Sequence, residues 1–250
     1  MKKILKSSIT LLAIAGLCAN SLHAQAVTEK DLADLAVKHS DAMKANREVL
    51  KNYSNSYRVE VSRAGELQWI DLVNVQIGAD QNAVLTQVNR DVVAPQEHGL
   101  LGRKRRKQER GAEEMDRIMS YAMKWISYYN RLPADRVFTL FRQAASDRTT
   151  KLATYSPDVV GVWSTNVRDS NANDKVNLWF NKQTGHPIRL SFDTPVEKGL
   201  DGATGETIKA MINYRYLKDG QGFYPAHIDV TIPSRGLTIR AEHLAARKKD

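Results

Sequence analysis

Residues 176–190 read Val176-Asn177-Leu178-Trp179-Phe180-Asn181-Lys182-Gln183-Thr184-Gly185-His186-Pro187-Ile188-Arg189-Leu190, two alternating apolar runs on either side of a turn. Val176, Leu178 and Phe180 fall on one face, and Ile188, Leu190 and Phe192 fall on one face of the return segment. A loop of Gln183, Thr184 and Gly185, with the glycine left-handed, pairs Phe180 with Ile188, Leu178 with Leu190 and Val176 with Phe192. Period-two alternation of this kind marks an antiparallel element with one buried face, because a slip of one residue turns every apolar side chain to water. Trp179 has the opposite parity, so it projects from the outer face, either under a loop or as a stacking contact.

The pattern extends in both directions. Towards the C-terminus, Ile208, Ala210, Ile212, Tyr214 and Tyr216 run into Asp219-Gly220, and Tyr224, Ala226, Ile228, Val230 and Ile232 return. A last strand over 236–243 completes a meander before a charged tail, and 197–207 is a glycine-containing loop. Towards the N-terminus, Tyr57, Val59 and Val61 alternate with polar residues, and Leu67, Trp69, Val73, Val75 and Ile77 follow, interrupted by Asp71. Ala64-Gly65 joins these as a hairpin, and 83–92 reads as a third strand.

Two stretches change period. Thr28 and Asp31 suit a helix start, and Leu32, Leu35, Ala36, His39, Met43 and Leu50 follow helical spacing, with His39 as a core-edge histidine. From Glu113-Glu114 onward, Met115, Ile118, Met119, Ala122, Trp125, Ile126 and Tyr129 form one stripe, with Pro133 beyond the end. This amphipathic helix over 113–129 is inserted between strands. It reads either as a core helix or as a movable plug over a greasy cavity, a use to which its methionines are suited.

Residues 1–26 read as an export signal: Lys2, Lys3 and Lys6, an apolar run over 9–17, then Ala24-Gln25-Ala26. Cys18 lies inside it behind Leu17, where lipid attachment wants a small residue, so a soluble periplasmic protein is expected. The remaining 224 residues contain no cysteine, so a disulfide framework is excluded and one domain over 27–250 must hold itself together by its core. Loss of three lysines and no acids lowers the formal charge from +9 to +6. Arg103, Lys104, Arg105, Arg106, Lys107 and Arg110 form its dense part, read as a solvated loop before the helix or as a docking patch for an anionic membrane surface or acidic envelope partner. Export separates the chain from nucleic acid and nucleotides.

Signatures of catalysis are missing. His39, His98, His186, His227 and His243 are dispersed with no metal-ligand spacing, and no serine-nucleophile elbow is present. Gly202-Ala203-Thr204-Gly205-Glu206-Thr207 lacks the lysine of a phosphate loop. Neither metal nor cofactor is expected, and no carboxylate pair is marked for hydrolysis.

A helix, antiparallel strands, an inserted amphipathic helix and further strands make an α+β protein: a strongly curved antiparallel sheet, or unclosed β-barrel, with helices on its concave face. This order, and the strand–Lys-x-Thr-Gly–x-Pro-x-Arg-Leu hairpin over 176–190, resembles the periplasmic lipoprotein carrier and outer-membrane lipoprotein receptor superfamily, the lipoprotein-sorting chaperones. Tyr57-Arg58-Val59-Glu60-Val61 is similar to the family's early strand. The resemblance implies a non-enzymatic binder of lipid or lipoprotein acyl chains on the concave face, under a helix that moves aside. The apolar residues expected to line that space are Tyr57, Val59, Trp69, Met115, Met119, Trp125, Leu178, Phe180, Ile188, Leu190, Ile212 and Tyr214. The alternative is an interaction module of an envelope complex that has no cavity and docks through 103–110.

Overall fold

The computed structural model describes residues 29–78, 83–92, 101–146, 152–156, 158–165, 174–195, 206–218, 220 and 222–249. Residues 1–26, expected from the sequence to be an export signal, Thr28 and most of the stretch 197–207 expected to be a loop lie outside them. Among the described residues the chain runs α1 (Glu29–Leu50), β1 (Tyr53–Arg63), β2 (Glu66–Ile77), β3 (Ala83–Val92), α2 (Leu101–Tyr129) and α3 (Ala134–Ser146). It continues through β4 (Leu152–Ser156), β5 (Val159–Thr165), β6 (Lys175–Asn181), β7 (Pro187–Pro195), β8 (Thr207–Tyr216), β9 (Phe223–Ile232) and β10 (Leu237–Lys248), with a 3-10 turn at Pro233–Arg235.

The fold is α+β with one curved, unclosed antiparallel sheet, ordered β3-β2-β1-β10-β9-β8-β7-β6-β5-β4. Strands adjacent in the chain are adjacent in the sheet, and β10 returns to pair with β1, from Tyr53 opposite Lys248 to Arg63 opposite Leu237. The one sequential pair left unjoined is β3 and β4. The chain inserts α2 and α3 between those two strands, so the opening of the sheet and the helical insertion are the same topological event.

Alternation builds the core. Asn55, Tyr57, Val59 and Val61 of β1 are buried, as are Ile208, Ala210 and Ile212 of β8 and Leu237, Ile239 and Ala241 of β10. All but Asn55 meet Leu32, Leu35 and Ala36 of α1, Ile118, Ala122, Trp125, Ile126 and Tyr129 of α2, and Val137 and Leu140 of α3 in one cluster. The β1–β2 turn is tight because both central residues, Ala64 (φ 51°) and Gly65 (φ 86°), are left-handed, as the right-handed strand twist requires.

The 176–190 hairpin forms with Val176 opposite Phe192 and Leu178 opposite Leu190. Its closing end differs from the sequence reading: Phe180 faces Pro187, and Ile188 is the extra residue of a bulge. Hydrogen bonds from Asn181 N to His186 O (2.9 Å) and from Gly185 N to Asn181 O (2.8 Å) close a loop of four residues rather than three, with Gly185 left-handed at φ 71°. A second bulge, at Ala226, turns Phe223 inward in place of Tyr224, and Tyr216 is exposed.

Three further boundaries change. The charged tail is the end of β10, paired to Lys248. Helix α2 starts at Leu101, twelve residues before the expected start, so residues 103–110 are helix rather than a loop. Arginine, lysine, glutamine and glutamate propagate a helix well without supplying an apolar stripe. Helix α3 and strands β4 and β5 are additional elements. Among the described residues, α2 makes few close backbone approaches to any single element, whereas α1 and α3 lie close together; α2 meets the sheet through long side chains.

Candidate functional site

The helices divide the concave face. His39 of α1 anchors one part: its Nδ1–H donates to Gly185 O (2.8 Å), and its ring lies 5.3 Å from that of Phe180. Burial holds the His39 pKa below the usual imidazole value despite the opposing effect of that hydrogen bond. Gly185 is required twice, by its left-handed φ and by α1 itself, since a Cβ there would lie 2.5 Å from Lys38 C. Further along α1, Asn46 acts as a strand edge: its Nδ2 donates to Phe223 O (2.8 Å) and its Oδ1 accepts from Phe223 N (2.7 Å).

Helix α2 is held over the sheet by ionic and polar clips. Arg235 donates through Nε and Nη2 to both oxygens of Glu206 (2.8 Å each) and through Nη1 to Glu114 of α2 (2.6 Å). Arg63 of β1 also reaches Glu114 (3.2 Å). Asp71, which interrupts the apolar pattern of β2, is buried and inward-facing; it takes a two-pronged bond from Arg90 of β3 (2.7 Å twice), and Arg90 lies 3.6 Å from Asp116 of α2. At the other end of α2, Tyr129 Oη lies 3.2 Å from Thr194 Oγ1 on β7.

Between α1, α2 and strands β1, β2, β3, β8, β9 and β10 lies a partly open apolar cavity of about 120 Å³. Its floor is small or branched, with Val59, Val73, Val75, Leu85, Ile228 and Ala241, and its roof is Met43 and Leu50 from α1 with Met119, Met123 and Ile126 from α2. Tyr57 and Tyr214 are wall residues whose hydroxyls donate to Pro225 O (2.9 Å) and Asn130 Oδ1 (2.8 Å). Burial pushes both phenol pKa values well above the usual range, so both stay neutral. At the C-terminal end of α2, Arg47, Ser127, Asn130 and Arg131 make the wall polar.

Of the residues expected to line a concave site, Tyr57, Val59, Met119 and Tyr214 border this cavity. Trp125, Leu178, Phe180, Leu190 and Ile212 are buried in the solid core, and Trp69 packs against it with Arg90 5.5 Å from its ring centre. Ile188 is not in the wall: as the bulge residue it leaves the alternation and is 37% exposed. Met115 lies on α2, but its side chain is outside the described residues, as are those of Arg103, Lys104, Arg105, Arg106, Lys107 and Arg110. Trp179 is partly buried on the outer face, with Arg189 stacked 4.5 Å over it. The roof from α1 and the polar end were missed; Met43 and Leu50 stood on the N-terminal helical stripe, but nothing in their spacing separates cavity roof from core.

No group of three or more histidine, cysteine, aspartate or glutamate side chains placed to hold a metal ion occurs among the described residues. None of the described helices is long and apolar enough to cross a membrane.

No family model and no curated protein matches the chain. Among solved structures, it is similar to a LolA superfamily protein from Nitrosomonas europaea at 12% identity, covering 85% of this chain and 94% of that one, with a TM-score of 0.36. It is similar to a putative outer membrane lipoprotein-sorting protein domain from Vibrio parahaemolyticus at 10% identity, covering 86% and 93%, with a TM-score of 0.38. A DUF1329 family protein from Desulfovibrio piger aligns at 11% identity over 88% and 92%, with a TM-score of 0.37.

Proposed function

We propose that the protein is a non-enzymatic periplasmic binding protein for an apolar ligand, a lipid or the acyl chains of a lipoprotein, with 27–250 as its single domain after loss of 1–26. The observation that supports this reading is the apolar cavity roofed by Met119 and Met123 of α2. Its size also limits the reading. An apolar cavity of about 150 Å³ accepts one benzene ring, so the volume here takes about five or six carbons. At about 0.8 kcal/mol per buried CH₂, that gives about 5 kcal/mol, a Kd of about 0.3 mM. A longer acyl chain therefore requires α2 to rise. Methionine side chains re-pack readily, and among the described residues the attachments that such a shift must break are side-chain clips, Glu114 to Arg235 and Arg63 above all, rather than close backbone packing.

Lipid extraction of the purified protein followed by mass spectrometry, with titration of a fluorescent fatty acid, tests this reading. Bound lipid, or saturable fluorescence enhancement, is expected; absence of both sinks it. The helical segment 103–110 is proposed as the contact with an anionic membrane surface or an envelope partner. Reversal of its charges is expected to weaken sedimentation with anionic vesicles and co-purification of a partner, and unchanged behaviour in both rejects that role.

A further inference from the structure

We propose that the ligand carries an acyl carbonyl, that of an ester or an amide, beside its apolar chain, and that the side-chain NH₂ of Asn55 binds the carbonyl oxygen inside the cavity. This rests on the reading of the cavity as a lipid site and adds the chemistry of the group next to the chain.

Asn55 breaks the pattern of its strand. The inward positions of β1 are Asn55, Tyr57, Val59 and Val61, and the amide among them is only 6% exposed while lining the apolar cavity. Its oxygen accepts and its NH₂ donates twice, and burying either without a partner is costly. The oxygen is matched, with His243 Nε2 3.2 Å from Asn55 Oδ1. The His243 ring is itself held, its centre 3.9 Å from that of Tyr224 and its plane edge-on to Tyr57 at 5.3 Å. Leu244 beside it is the extra residue of a bulge, an irregularity that re-aims neighbouring side chains. With the imidazole donating from Nε2 to the oxygen, the NH₂ of Asn55 is turned away from the histidine and has no acceptor among the described residues.

Asn46 shows what a structural amide looks like in the same wall. Its oxygen accepts from Phe223 N and its NH₂ donates to Phe223 O, so both ends are matched by backbone. Asn130 also lines the cavity and has its oxygen filled by the Tyr214 hydroxyl, but it is half-buried, within reach of solvent. The competing account for Asn55 is a trapped water. Such a water wants two to four polar partners, whereas the wall beside Asn55 on β1 is Tyr57 and Val59, with the Tyr57 hydroxyl proton already on Pro225 O. An ester or amide carbonyl supplies the acceptor that the NH₂ lacks and, unlike a carboxylate, brings no charge into an apolar wall.

NMR titration of the purified protein with methyl hexanoate, N-methylhexanamide, hexylammonium and toluene tests the proposal. Toluene fills apolar space without an acceptor, and hexylammonium only donates. Asn55→Leu should weaken the ester and the amide about fivefold, the worth of one hydrogen bond, and leave toluene within about twofold. Asn55→Asp keeps the shape but replaces the NH₂ by an acceptor, so it should weaken both carbonyl probes at least about tenfold and tighten hexylammonium. In the unsubstituted protein one Asn55 NH₂ proton should move downfield with the ester and not with toluene, a readout that needs no variant to fold. The tighter of ester and amide identifies the linkage. Equal ester affinity in folded Asn55→Leu, unchanged ester affinity in folded Asn55→Asp, or an NH₂ signal that answers toluene as it answers the ester overturns this inference and leaves the cavity reading standing. Failure of all four probes to bind overturns both.

Discussion

The concave face has a solid half and a hollow half built from the same alternating strands. Over β6, β7 and β8 the inward residues are Leu178, Phe180, Leu190, Phe192, Ile208 and Ile212, and Tyr129 of α2 fills the remaining space, its ring 5.0 Å from Phe192. Over β1, β2 and β10 the inward residues include Val59, Val73, Val75 and Ala241, and the helix above offers Met119 and Met123. Aromatic and long branched side chains reach the helix, whereas valine and alanine stop short of it. The difference is side-chain volume at equivalent positions, with α1 pinned at both halves, by His39 to Gly185 and by Asn46 to Phe223.

If that contrast governs stability, truncations should separate the halves. Phe192→Ala is expected to cost about 3–5 kcal/mol in urea denaturation, and Met123→Ala less than about 1 kcal/mol because it enlarges a space already open. Similar costs would dissolve the distinction. Gly185→Ala attacks the pin of the solid half through its left-handed φ and the Lys38 backbone, and should cost about 2–3 kcal/mol in the same assay. Filling the hollow is the converse: Val73→Phe should change stability by less than about 1 kcal/mol, against the 1–3 kcal/mol typical of overpacking, while abolishing fatty-acid binding. A bound fatty acid in that variant would place the ligand elsewhere.

The smallest effect is on pH. Burial lowers the folded-state pKa of His39, so between that value and the unfolded value of about 6.5 the unfolded chain binds more protons. The contribution of neutral His39 is complete above about pH 6.5 and is lost as pH falls through that window. Melting temperature should therefore drop from pH 7.5 to pH 5, and His39→Gln should flatten the slope more than His243→Gln. His243 is shifted the same way by burial but stands beside Asn55 and Tyr224 in a less enclosed place. Parallel curves for the two variants would remove the solid-half pin as the cause.

Strands β1 to β3 and β6 to β10 were legible because alternation is a local consequence of which face is buried, whereas β4, β5 and α3 were not foreseen. The turn at Ala64-Gly65 and the residues 83–92 of β3 were legible for the same reason. Bulges were not: one extra residue at Ile188 or Ala226 reverses parity without altering composition, and only cross-strand pairing reveals it. The early start of α2 escaped notice because its first turns carry charge rather than an apolar stripe. The hollow was illegible in principle. Val59 and Tyr57 border it and Phe180 and Leu190 do not, although all four alternate alike, since a cavity is a deficit of volume summed over several elements.

The seam between β1 and β10 bears on the order in which the molecule can assemble. Tyr53 and Lys248 pair across nearly the whole described chain, so the centre of the sheet is a seam between the first and the last of the described strands. Until residues 237–248 are available, β1 and β9 each lack a neighbour, and the sheet exists only as two separate meanders, β1–β3 and β4–β9. Closure of so long a loop is slow. The sheet is therefore completed only when its first and last described strands meet, each meander being available for pairing within itself beforehand.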